Sequence, residues 1–249
     1  MAAIFFKTPA PREPQTDAWS LSRRTVVRFS YAPEIRSDFP DLATHAIMLD
    51  GITPQARPEG HIALLWTQAA RRLETGQEGS FAEITAWRQA FSRMGLKPSQ
   101  YRCAAEALLR RFRRERLLPA IHPLVDLCNA VSLAHAIPIA VFDLSCIQGS
   151  LQVRPATGQE SYHAFDGTQE QPDAGEVIFA DDAGLAHARR WCNRQSAASA
   201  VCATTRSALI VAEALHARAT ADLARLAEVL QLALAETWPQ ARLQQVETA

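Results

Sequence analysis

An α+β fold follows from the order in which this chain changes its periodicity. Residues 58–118 carry apolar side chains at helical spacing, residues 138–180 break into short β-prone runs punctuated by glycine, and residues 207–236 return to an apolar stripe. Helices first, a strand cluster next and helices last are segregated rather than alternating, which is the α+β pattern.

Taken in order, residues 1–25 hold three prolines, scattered charge and no period, and are expected to form an N-terminal extension. Thr25–Phe29 and Ala46–Leu49 are short β-prone segments, with a helical turn or loop at PEIRSDFP between them. From Pro58 to Leu73, Ile62, Leu65, Trp66, Ala69 and Leu73 share a helical face, and Ile84, Trp87 and Phe91 repeat the pattern over Ala82–Phe91. A further helix is predicted from a Ser99 cap to the Leu117-Leu118-Pro119 stop, and another over 123–133. Strands are predicted at 138–142, 151–154, 162–165 and 176–180, separated by Gly149, Gly158, Gly167 and Gly175. Leu209, Ala212, Leu215, Leu223, Leu226, Leu230 and Leu234 form the closing stripe, expected as one or two helices. The expected divisions are an extension at 1–25, one domain at 26–236 and a tail at 237–249.

Composition excludes several classes. Hydrophobic residues are 48% and charged residues 21%, and no apolar run approaches the roughly eighteen residues of a membrane helix. The first residues lack a secretory pattern, and five cysteines without C-x-x-C spacing suit reduced thiols, so a cytoplasmic location is expected. Net charge is zero, so any nucleic-acid attraction must be local. The strongest local candidate is RRFRRER, with Arg110, Arg111, Arg113 and Arg114; a solvated helix face is the plain alternative. His122, His135, His163 and His187 have no metal-ligand spacing, no phosphate-binding loop is present, and no G-x-S-x-G elbow occurs, so no metal and no cofactor are expected.

The block HPLVDLCNAVSLAHAIPIAVFDL at 122–144 orders polar anchors between apolar runs, and LQVRPATGQE and FDG follow at 151–160 and 165–167. Val125, Asp126, Asn129, Leu133, Pro138, Phe142 and Asp143, then Val153, Arg154, Ala156 and Glu160, then Asp166 and Gly167, fall in register with the editing module of the phenylalanyl-tRNA synthetase β subunit. The chain resembles that B3/B4 domain. It is closer still to free-standing relatives, through Leu118-Pro119, Ser132, Arg189, Arg190, Trp191 and Arg194. The resemblance implies helices flanking a mixed or antiparallel sheet, tRNA as partner through its acylated 3′ end, and hydrolysis of the ester of mischarged tRNA, without ATP or aminoacylation. The same pocket used for binding alone is the alternative.

Departures bear on specificity. The histidine of the synthetase block is Ala140 here, its threonine is Cys128, its tyrosine is Ala130, and the glutamate that reads tyrosine is replaced by Arg194 or Asn193. A guanidinium donates where a carboxylate accepts, so clearance of tyrosine is not carried over. The candidate catalytic residues are Asn129, whose amide can hold the substrate and whose ordinary alternative is a cap, and Ser132, three residues on along a helix. Cys128 is a weaker candidate nucleophile. Arg190, Trp191, Arg194 and Glu160 are candidates for substrate or tRNA contact, against salt-bridge, core and turn-shaping alternatives.

Overall fold

A computed structural model describes residues 27–247. The expected extension at 1–25, and Val26 of the first expected strand, lie outside the described residues. The chain runs β1 (Phe29–Tyr31), α1 (Pro33–Asp38), β2 (Ala43–Asp50), α2 (Glu59–Glu74), α3 (Ala82–Arg93), α4 (Ala104–Glu115) and α5 (Pro123–His135). It continues through β3 (Ile139–Asp143), β4 (Leu151–Pro155), β5 (Ser161–His163), β6 (Gln169–Glu170), β7 (Val177–Asp181), β8 (Leu185–Arg189), β9 (Arg194–Gln195), β10 (Ser207–Ala214), α6 (Ala219–Thr237) and β11 (Arg242–Gln245). This is an α+β architecture with two sheets rather than one.

The first sheet is mixed, in the order β1-β4-β7-β8-β5-β6, with β9 beside β8. The second is antiparallel, β11-β2-β10-β3. Between the sheets lies a core of Phe29, Phe142, Phe179, Trp191, Leu209 and Val211, joined by Trp87 and Phe91 of α3. The other face of the second sheet carries Ile47, Leu49, Val141 and Ile210 against Leu127 and Val131 of α5 and Leu226 and Leu230 of α6.

That double burial explains one reversal. Residues 207–214 are the central strand β10, not the start of a closing helix, because Leu209 and Val211 face one core while Ala208, Ile210 and Ala212 face the other. A strand covered on both sides has no polar alternation, and its unbroken apolar run imitates a buried helix. Only α6 remains helical in that stretch. The segment expected as a tail after 236 likewise contributes β11, which pairs with β2 from Arg242↔Asp50 to Gln245↔Ile47.

The expected Ser99 cap is also displaced. A turn at Lys97 captures the amides of Gln100 and Tyr101, and α4 begins after Cys103, where the first helical amide, that of Ala104, donates to Cys192 O at 2.9 Å. A long-range partner thus stands in for a local cap. By contrast α5 is capped as a local signal would have it: His122 Nδ1 accepts from Leu124 N at 3.2 Å and Pro123 occupies the first turn.

Candidate functional site

Alternation along β10 puts Glu213 on the face of Leu209 and Val211, so its carboxylate enters the core between the sheets. It is 2% exposed. Glu213 pairs with Thr44 of β2 in register, and Tyr31 at the end of β1 reaches across from the other sheet. The Tyr31 hydroxyl donates to Glu213 Oε1 at 2.7 Å and accepts from Thr44 Oγ1 at 2.9 Å. Trp191 Nε1 donates to the same oxygen at 2.8 Å. Burial drives the Glu213 carboxyl up to about 7, while the bonds from Tyr31 and Trp191 and the nearby charge of Arg36 pull the other way.

Trp191 is fixed by the turn between β8 and β9, where Arg190 and Trp191 both adopt left-handed backbone, φ 46° and 58°. Its ring meets Trp87 and Phe39 edge-on, each with centroids 5.0 Å apart. With no exposed surface it is a core tryptophan and cannot stack on adenine. Beside it a cleft opens between the sheets, lined by Pro138, Ala140, Phe179, Ala188, Cys192, Arg194, Gln195 and Glu213, with a free volume of only ≈ 10 Å³. That is room for about one water.

Arg194 borders this cleft and is clamped by Glu170, through Nη1 at 3.0 Å and Nη2 at 2.8 Å, over the Tyr162 ring. Arg189 joins Glu170 and makes a paired bond to Glu176 at 2.8 Å on both nitrogens, and Glu176 also accepts the Arg190 amide at 3.1 Å. Arg190 lies over Tyr101. Three guanidiniums and two carboxylates thus form one ion-pair cluster, of which Arg194 reaches the cleft.

The expected site residues do not all converge. Arg194 and Trp191 line the cleft, with Arg190 adjacent in the turn; Asn129 and Ser132 on α5 do not. Ser132 Oγ donates to Ile137 O at 2.7 Å, tying off the end of α5. Cys128 is buried, which pushes its thiol far above the ordinary range and leaves it no thiolate for attack. Glu160 shapes a turn: burial works to raise its pKa, but the Thr157 amide and then Arg154 outweigh that and hold it at about 2.

The arginine run is largely paired. Arg110 and Arg113 turn onto buried Glu78, at 3.3 and 3.2 Å, while Arg111 and Arg114 approach Glu115 at 2.7 and 3.7 Å. These residues also sit roughly 9 to 15 Å along α4 from Ala104 at the cleft. Glu83, His216 and Asp222 bring two carboxylates and an imidazole within 4.8 Å of one another, a donor set of the metal-binding kind. Arg72 already contacts both oxygens of Glu83, however, and Arg225 bonds Asp222, so the local negative charge is neutralised. Among the described residues no helix is long and apolar enough to cross a membrane.

Glu213 is the residue that sequence reasoning missed. The available signal was one acidic residue inside the apolar run 208–214.

Fold and site together define a two-sheet α+β domain with a narrow cleft between the sheets. The chain belongs to the B3/4 domain family, whose model matches residues 86–232, more than half of its length. It is similar to the phenylalanine–tRNA ligase β subunit of Nocardia farcinica, 39% identical over 64 residues, which are 26% of this chain and 8% of that protein. It is likewise similar to the Streptomyces avermitilis β subunit, 40% identical over 60 residues, 24% of this chain and 7% of that one. The chain therefore spans a small fraction of these relatives. Its fold is similar to an N-terminal fragment of the Pyrococcus horikoshii phenylalanyl-tRNA synthetase β subunit, with a TM-score of 0.51 and 9% identity, over 100% of this chain and 55% of that one.

Proposed function

We propose that this chain is a tRNA-binding B3/B4 domain protein that works in trans in the cytoplasm, hydrolysing the ester between a wrong amino acid and the terminal ribose of tRNA. One observation carries the reading. Ala140, which stands where the synthetase pattern has histidine, and Arg194, which with Asn193 is one of the two residues able to stand where it has glutamate, line the same inter-sheet cleft. A site altered at both positions is one whose specificity has changed, and Arg194 presents donors where the synthetase pattern presents an acceptor.

The ester is intrinsically labile, so orienting it beside a water and stabilising the oxyanion supply the needed chemistry without a protein nucleophile. A cleft of ≈ 10 Å³ does not admit an adenosine. The ribose and base therefore stay outside, and only the acyl end approaches the rim beside Arg194.

The test is a panel of mischarged tRNAs incubated with the purified protein. The expected result is ester loss above the spontaneous rate for at least one charged tRNA, reduced by Arg194→Ala. No hydrolysis of any charged tRNA ends the enzymatic reading. A second reading, a non-catalytic module that binds tRNA or a free amino acid, is favoured by the separation of Asn129 and Ser132 from the cleft. It predicts tRNA retention on filters without ester loss.

A further inference from the structure

We propose that Glu213 holds the hydrolytic water in the inter-sheet cleft and takes its proton as the ester is attacked; this rests on the deacylase reading above. The cleft has the volume of about one water, not of a substrate group. The polar side chains that line that volume include Glu213, Arg194 and Gln195, whose Nε2 is already taken up by Val141 O at 2.7 Å, while the Trp191 indole N–H is spent on Glu213 Oε1. A water held there donates to the carboxylate and to the Gln195 amide oxygen and accepts from the guanidinium.

The hydrogen bonds of Glu213 are one-sided. Tyr31 and Trp191 both donate to Oε1, which leaves Oε2 without a partner among the described residues. The company of this carboxylate is also unlike that of the other buried glutamates. Glu78, Glu83, Glu106 and Glu160 each bond directly to an arginine, whereas Glu213 is bonded by neutral donors alone. A carboxylate held by neutral donors in a buried site exchanges its proton near neutrality, as a general base requires. The left-handed backbone at Arg190 and Trp191 is a conformation that costs free energy in non-glycine residues, and here it aims the indole at Glu213.

In the step, the water oxygen bonds to the ester carbonyl carbon while one of its protons passes to Glu213 Oε2. The oxyanion forms beside Arg194. It then collapses, breaking the bond to the ribose oxygen, which takes a proton from solvent at the rim, while Glu213 releases its own proton through the water that refills the cleft. Free amino acid and a tRNA with its terminal hydroxyl leave, and the carboxylate is restored.

The experiment compares wild type with Glu213→Gln, which keeps the shape and the Oε1 acceptor but cannot take a proton. The readouts are single-turnover deacylation from pH 5.5 to 8.5, tRNA affinity and thermal unfolding. A high-resolution crystal structure of the wild type reads the cleft directly. Expected are a rate falling roughly 100-fold or more in the variant, a wild-type base limb near neutrality that the variant lacks, unchanged tRNA affinity, and a water on Oε2. A wild type that deacylates while the variant stays within threefold of it overturns the inference and leaves the function standing. A dry cleft overturns the inference even in an active protein. A wild type inactive on every charged tRNA overturns both.

Discussion

The indole N–H of Trp191 meets Glu213 Oε1 at 2.8 Å, linking the β8–β9 turn of the mixed sheet to the central strand of the antiparallel one. Tyr31 completes the link on the same oxygen. A carboxylate therefore helps to join the two sheets, beside the Thr44–Tyr31 and Gln195–Val141 hydrogen bonds, and its donors are individually testable. Trp191→Phe retains an aromatic ring but removes the donor. Urea denaturation is expected to show a loss of about 1–3 kcal/mol, and NMR titration a further upward shift of the Glu213 carboxyl, because one of the bonds that lowers it is gone.

Stability should depend on pH through the same residue. The folded-state pKa of Glu213 is raised from 4.5 to about 7. Its stabilising contribution is thus fully present below the unfolded value and is lost as pH rises through about 7. Between pH 4.5 and 8, wild type is expected to lose about 3 kcal/mol relative to Glu213→Gln. Glu160 acts in a separate window, since its pKa is depressed to about 2 and its contribution disappears only as pH falls below the usual carboxylate range toward that value. Denaturation curves for the two proteins that stay parallel from pH 4.5 to 8 would exclude this role for burial.

The arginines of α4 should separate by partner. Removing both Arg110 and Arg113 by substitution to alanine leaves Glu78 buried without its cations, and a loss of about 1–3 kcal/mol in chemical denaturation is expected. Arg114 is 69% exposed and only 3.7 Å from a half-exposed partner, so Arg114→Ala should fall within about 0.5 kcal/mol of wild type.

Gly149 and Gly95 offer a matched pair. Both have positive φ, +69° and +75°, but a Cβ at Gly149 would collide with Asp182 Oδ2, the acceptor of the Ser150 amide at 2.9 Å, whereas nothing lies within 4 Å at Gly95. Gly95→Ala should lower stability by about 1 kcal/mol through backbone conformation alone, and Gly149→Ala by more than about 2 kcal/mol, measured as a shift in unfolding midpoint.

Legibility followed burial geometry. Helices α2 and α3 each expose one face, so Leu65 and Ala69, or Ile84, Trp87 and Phe91, stand out at helical spacing against polar neighbours. Strand β8 did not stand out, because its His187 and Arg189 are buried polar residues whose partners, Asp181 and Glu176, come from elsewhere in the chain. Of the residues the family pattern named, Arg194 and Trp191 border the cleft, whereas Asn129 and Ser132 on α5 do not line it.

By itself the sequence determined the α+β class, most of the helices and the kinship carried by the 122–167 anchors, because local periodicity and residue order survive in one dimension. Tertiary structure alone decided that residues 207–214 form a strand between two cores, that the first amide of α4 is satisfied by Cys192, and that Glu213 shares an oxygen with Tyr31 and Trp191. The reason is sequence separation. Tyr31 and Glu213 stand 182 residues apart, and only the stacking of one sheet on another makes them neighbours.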